Sequence, residues 1–161
     1  MMLGAVIRLV ILGQVVGHKN SYHIVTIKGR PAVVKSKDAL AYERDALRQI
    51  PPSARQRLEG PVRVTLRLYY ATERPDLDES MVLDVLQDRF KGKGEQRELV
   101  QKGVYRNDRQ VREKHVHHLI DRANPRTEVE VEPLVMQQPD LLAGAPRVTP
   151  ETAREESTVP F

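Results

Sequence analysis

The stretch from Pro61 to Tyr70 limits what this chain can fold into more than any other. Val62, Val64, Leu66, Leu68 and Tyr70 alternate with Arg63, Thr65, Arg67 and Tyr69. A period of two sends successive side chains to opposite faces of a strand, so one face is apolar and the other polar and basic. Such a strand belongs in a sheet with one side on a core. Ala5 to Val16, rich in Val, Ile and Leu, reads as a further strand. Tyr22 to Ile27 and Ala32 to Lys35 flank Gly29-Arg30-Pro31 and read as a hairpin. Ser36 is a helix N-cap with Asp38 in the first turn, and the helix runs to about Ile50, where Pro51-Pro52 stops it. Leu40, Leu47 and Ile50 form its expected apolar face, with Ala39 and Ala46 beside them.

The second half is less regular. Glu79 to about Phe90 is expected to be a helix whose core face is Met81, Val82, Val85 and Leu86. Lys91 to Gly94 reads as a flexible basic patch, Glu95 to Val100 as a helical turn, and Gly103 to Asn107 as a short strand or turn. Val111 to Ile120, at least in its second half, and Thr127 to Glu132 are expected strands, closed into a hairpin by Asn124-Pro125-Arg126. From Pro133 onward prolines recur and no hydrophobic period survives, so 1–133 is the expected domain and 134–161 a flexible, loosely ordered tail.

Composition narrows the function classes. A chain of 161 residues with 40% apolar side chains suits one domain with a modest core. It has no cysteine, which excludes disulfide scaffolds, thiol nucleophiles and Cys-based metal sites, and suits a reducing cytoplasm. Aromatics are 4% and Trp is absent, against a single-strand binder built on stacking platforms. The most apolar run, Leu3 to Val16, is interrupted by Arg8 and Gln14, too short for a membrane span and unlike a signal peptide. The net charge is +4; setting aside 134–161 leaves 24 basic against 18 acidic residues, so the basic character belongs to the expected domain. That balance leans toward an anionic partner.

The sharpest chemical feature is Asp76-Leu77-Asp78, on the loop after the alternating strand. In extended backbone the two carboxylates share a side, and Leu77 is expected to face the core. Like charges so close are naturally held by a divalent cation, and hard oxygen ligands suit Mg²⁺ or Mn²⁺. Asp108, in the polar turn Arg106-Asn107-Asp108-Arg109-Gln110, is the expected third acid. The bland alternatives are that Asp78 caps the helix at Glu79 and that Asp108 is a turn residue. Acids set among Arg74, Arg106, Arg109 and Arg112 suit a site that cleaves phosphodiesters; an ion-paired surface is the plain alternative. His115 and His117 would share a face on a strand, and Asp84 and Asp88 are expected on a solvated helix face.

Arg74-Pro75-Asp76-Leu77-Asp78, a following helix, and Asn107-Asp108-Arg109-Gln110-Val111 resemble the RusA family of Holliday junction resolvases, found in bacteria and their phages and prophages. Lys19-Asn20-Ser21, Gly29-Arg30 and a Ser36-led helix with Tyr42-Glu43 extend the resemblance over about residues 7 to 132. It implies a small single α+β domain with a mixed, mainly antiparallel sheet flanked by helices. It implies a homodimer that uses Mg²⁺ to cut four-way or branched DNA symmetrically, with Asp76, Asp78 and Asp108 as the catalytic, metal-binding acids. In that picture Lys19, Asn20, Arg74, Lys91, Lys93, Arg106 and Arg109 position DNA through its phosphates. The family pattern has Asn after the second Asp and a lysine four residues beyond that Asp; this chain has Glu79 and Val82, with Lys102, Lys93 and Lys19 as candidates for the lysine's role. That departure motivates the alternative of a non-catalytic junction-binding protein on the same fold.

Overall fold

The structure, a computed structural model, describes residues 5–135, so all but the first two residues of the expected tail lie outside it. In chain order the elements are β1 (Ile7–Leu12), a single helical turn α1 (His18–Ser21), β2 (Tyr22–Ile27), β3 (Arg30–Lys35), α2 (Lys37–Gln49), β4 (Val62–Tyr70), α3 (Ser80–Leu86), β5 (Arg89–Lys91), β6 (Glu98–Gln101), β7 (Val111–Ile120) and β8 (Arg126–Pro133). The class is α+β. The main sheet has the order β1-β8-β4-β7, and β2–β3 and β5–β6 are separate two-stranded hairpins. Within the sheet β8 runs antiparallel to both β1 and β4, while β4 and β7 are parallel. Among the described residues no helix is long and apolar enough to cross a membrane.

The alternation of β4 explains its place in the middle. Val62, Val64, Leu66, Leu68 and Tyr70 are all buried, together with Val129 and Val131 of β8 and Ile7, Leu9 and Ile11 of β1. The helices cover this face. Ser36 caps α2 by accepting the Ala39 amide at 3.1 Å. The buried stripe of α2 is Ala39, Tyr42, Glu43 and Ala46, and Leu40 points to solvent instead of the core. Of the expected face, Ala39, Ala46 and Ile50 are buried and Leu47 packs against the core, so Leu40 alone departs from it. Met81, Val82, Val85 and Leu86 of α3 are buried as expected.

The other face of β4 is basic in sequence but not in charge. Arg63 is held by Glu113 of β7 and Glu132 of β8. Arg67 lies in register with Glu128, and Glu130 of the same row pairs with Arg8 of β1. The expected free cationic strand face is therefore an ion-paired one. This also explains a second correction. The last two strands do not form a hairpin; they flank β4, and the connection between them crosses its end. Acids on both sides of β4 satisfy Arg63, and the inward row Thr127, Val129 and Val131 lets β8 be an interior strand. The inward row of β7 carries Lys114 and His118, which suits an edge.

Two further expectations change. The helix after the acidic loop ends at Leu86 rather than near Phe90, and residues 89–101 form the β5–β6 hairpin, in which the expected helical turn is confined to a single turn at Gly94–Gln96 and residues 98–101 are strand. Asp88 lies past that end and is not solvated. Its carboxylate is 1% exposed, accepts Arg57 Nε at 2.8 Å and accepts the Gly103 amide at 2.8 Å. Gly103 itself touches the 86–88 backbone so closely that a Cβ would not fit. Removing the carboxylate leaves a buried amide and a half-buried guanidinium without a partner. Asp88→Ala is expected to lower stability by about 3 kcal/mol in urea titration, while Leu40→Ser leaves the midpoint essentially unchanged.

Candidate metal and nucleic-acid site

The C-terminal end of β4 delivers the chain into the acidic loop, and three backbone contacts fix where that loop lies. The Ala71 amide donates to Gln14 Oε1 at 2.7 Å, the Asp121 amide to the Tyr70 carbonyl at 2.8 Å, and the His18 amide to the Asp76 carbonyl at 3.2 Å. The loop therefore sits against α1, and Asp76, Asp78, His18, Lys19 and Asn20 come together at one end of the molecule. Sequence spacing alone separates these two groups by more than fifty residues.

The loop does alternate, but with the opposite sense to that expected. Leu77 is 39% exposed, whereas the Asp76 side chain is 7% exposed. Asp76 packs onto Gly17, where any Cβ would overlap its carboxylate, and lies 3.4 Å from Arg74 Nε. The Gly17 φ is −67°, so glycine is needed there for space and not for backbone freedom. Asp78 accepts the Ser80 amide at 3.0 Å and the Ser80 hydroxyl at 2.7 Å, and its Oδ2 lies 3.3 Å from His18 Nδ1. Burial alone would raise the Asp78 pKa; the Ser80 hydroxyl and amide, with His18, more than reverse it and hold the group below its ordinary 3.8. Asp78 is thus ionised at neutral pH. It also restrains the first residue of α3, so the capping role and the site role coincide in one carboxylate.

Tyr70 closes the inner side of this end of the sheet. Its hydroxyl is buried near the Asp78 main chain and has no hydrogen-bond partner among the described residues. Burial raises its pKa, and the charges of Asp78 and Asp76 add to that while Arg74 opposes it. A small cavity of about 160 Å³ beside it is lined by Arg74, Leu77, His118 and Ile120, among others. From β7, Lys114 reaches Glu79, the residue after Asp78, at 2.6 Å. Lys114 was not singled out by the sequence, and no local signal could have found it, because β7 meets this end only through the parallel pairing with β4.

Asp108 is placed elsewhere. It opens a short turn capped by Asn107, and its amide donates to Gln87 Oε1 at 3.3 Å. Gln87 in turn donates to Asp84 at 2.6 Å. Asp78 holds the first residue of α3 and Asp108 meets the residue that ends it. Seven helical residues span about 10 Å. Among the described residues, no three His, Asp or Glu side chains are grouped closely enough to hold a metal ion. The structure therefore brings Asp76 and Asp78 together and leaves Asp108 at the other end of α3. Asp84 faces away from the acidic pair and pairs with Lys35 at 2.9 Å, and Lys35 also pairs with Glu43. His115 and His117 lie exposed on the outer row of β7 with Glu113 3.7 Å from His115, but among the described residues they do not form a group able to hold a metal ion.

The expected DNA contacts are similarly divided. Lys19 and Asn20 are exposed beside the acidic pair. Arg74 is engaged by Asp76, and Arg106 by Glu59. Arg109 is exposed and, with Arg112, lines an open cleft beside Gly60 and Pro61. Lys91 and Lys93 are exposed on the β5–β6 hairpin. The donor chemistry of Asp76 and Asp78 fits Mg²⁺, which prefers carboxylate oxygen and keeps several waters. Compared with known proteins, the chain matches no family model and no curated protein.

Gly17→Ala forces the Asp76 carboxylate out of its seat and is expected to cost about 1–3 kcal/mol in thermal unfolding. For Asp78 the folded pKa is depressed. Its stabilisation is therefore present above 3.8 and disappears as pH falls through the folded value. The gap in unfolding midpoint between wild type and Asp78→Asn should hold from neutral pH down to about pH 4 and close below it.

Proposed function

We propose that the protein is a metal-dependent, structure-selective endonuclease acting on four-way or branched DNA, with a second copy of the chain as its working partner in the bacterial or phage-infected cytoplasm. The observation that carries this reading is the Asp76–Asp78 pair. Two carboxylates, one buried against Gly17 and one kept ionised by Ser80 and His18, sit beside the exposed Lys19 and Asn20. Asp76 and Asp78 would hold Mg²⁺, with Mn²⁺ as a substitute, and the ion when bound would polarise the scissile phosphate and activate water. The chain's own residues do the rest. Lys19 and Asn20 meet the DNA backbone next to the acids. Arg109 and Arg112 meet it at the far end of α3, and Lys91 and Lys93 meet it on the adjoining hairpin. Lys114, anchored on Glu79, takes the place of the helix lysine that the family pattern has at Val82. Tyr70 keeps a neutral hydroxyl against the acidic loop.

A specific observation favours a second reading, a junction-binding protein without cleavage. Asp108, the third acid of the resemblance, meets the far end of α3 and not the acidic pair. One experiment separates the two. Purified protein is incubated with a labelled four-way junction and a matched linear duplex, with Mg²⁺, with Mn²⁺ and with EDTA. The endonuclease reading expects paired, symmetric nicks in the junction only, abolished by EDTA. It also expects Asp76→Asn to bind the junction while cutting at least a hundredfold more slowly. Junction binding with no cut in either metal supports the second reading, and cleavage by Asp76→Asn at the wild-type rate would sink the first.

A further inference from the structure

The β2–β3 hairpin stands away from the core as an arm. Six residue pairs are in register, from Tyr22 with Lys35 to Ile27 with Arg30. The two turn residues, Lys28 and Gly29, both have positive φ, 51° and 75°, the twist that suits a two-residue hairpin. Every residue of β2 is exposed. Apolar side chains occupy both faces: Tyr22, Ile24 and Val33 on one, Val25 and Ile27 on the other. Ile24 is 78% and Val33 69% exposed, and they are cross-strand partners. A two-stranded ribbon of this kind is at best marginal in water on its own.

The two edges of the arm differ. A two-residue turn makes Ile27 and Arg30 a hydrogen-bonded pair, so alternation leaves the main-chain groups of Tyr22, Ile24 and Thr26 pointing out of the β2 edge. On the β3 edge the outward positions are Pro31, Val33 and Lys35. A proline with no N–H interrupts that edge, and at its root Lys35 is drawn onto Glu43 and Asp84 of the helices. The β2 edge, Tyr-His-Ile-Val-Thr-Ile, has neither proline nor lysine and consists almost wholly of strong strand formers.

We propose that β2 pairs antiparallel with β2 of a second copy of this chain, about a two-fold axis at Ile24, joining the two arms into one four-stranded ribbon. The pairing sets Ile24 against Ile24 and Tyr22 against Thr26 of the second copy. Two marginal ribbons become four strands with a continuous apolar face, which is enough for stable pairing. It also carries the tip of each arm to the root of the other. The tip bears Lys28 and Arg30, neither of which has a carboxylate partner among the described residues. The root bears Asp38 in the first turn of α2 and the exposed Leu40, with Lys19 and Lys37 beside them. Asp38 is the acid the tip cations meet across the symmetric contact. Nucleic acid is a poorer occupant, since His23 is the only side chain of β2 able to carry positive charge.

The inference rests on the homodimer of the reading above and on none of its chemistry, so its test uses neither DNA nor metal. The mass of the full chain is measured by sedimentation equilibrium for wild type, Ile24→Lys and Thr26→Pro. Ile24 is solvent-exposed and the Thr26 N–H points out of the free edge, so neither change disturbs the core or the β2–β3 pairing. The expected result is a two-chain mass for wild type and a one-chain mass for both variants, with far-ultraviolet circular dichroism unchanged. A one-chain wild type would overturn the proposal, and so would a two-chain mass retained by both variants.

Discussion

Everything in this molecule is arranged around the two unlike faces of β4. The inward row of Val, Leu and Tyr needs a core, and α2 and α3 supply it. The outward row needs counter-charge as much as it needs space. Arg63 is gripped from both sides, by Glu113 and Glu132, and only a strand with acidic neighbours on either hand can be satisfied that way. The buried inward row of β8, Thr127, Val129 and Val131, goes with its interior place, and the more polar β7 lies at the edge beside the end of the sheet where the acidic loop comes to rest.

The same placement explains how local and distant sequence meet at the candidate site. The loop after β4 has no regular structure to hold it, so its shape depends on what it packs against. Gly17 leaves room for the Asp76 carboxylate, and the His18 amide and ring bind the loop at two points. The cost of seating Asp76 inside is offset by Arg74, and Asp78 is kept charged by the start of α3. At the other end of α3 a second network joins Lys35, Glu43, Asp84 and Arg89. Burial works against the Lys35 ammonium, and Glu43 and Asp84 more than reverse it, so its pKa lies above the ordinary value. This network ties the root of the β2–β3 arm to both helices.

How far the fold could be read in advance depended on whether its cause was local. The β4 strand, the Ser36 cap, the first hairpin and the core face of α3 follow from period, capping chemistry and turn residues within a few positions, and they stand as expected. The strand order did not follow, because the pairings of β7 and β8 with β4 join residues about fifty to seventy positions apart, and no local signal distinguishes them from a β7–β8 hairpin. Leu40 and Leu77 misled because apolar character alone does not fix which face turns inward: Ala39 and Tyr42 take the inner face of α2, and Asp76 takes the inner side of the loop. Asp88 looked solvated because its helix was expected to continue past Leu86. At the site, the pairing of Asp76 with Asp78 was legible from spacing, and its contact with α1 was foreshadowed only by the polar run at 18–20. Lys114 and the separation of Asp108 belong to the tertiary arrangement alone.

The central claim is that a divalent cation is held at the Asp76–Asp78 end of α3 and not at its other end. Titration of Mn²⁺ into isotopically labelled protein, followed by paramagnetic broadening of amide resonances, tests this most directly. The account predicts early, selective broadening of residues 17–20 and 76–80, abolished by Asp78→Asn. Broadening centred instead on residues 84–88 and 107–110, or none below millimolar Mn²⁺, would contradict it.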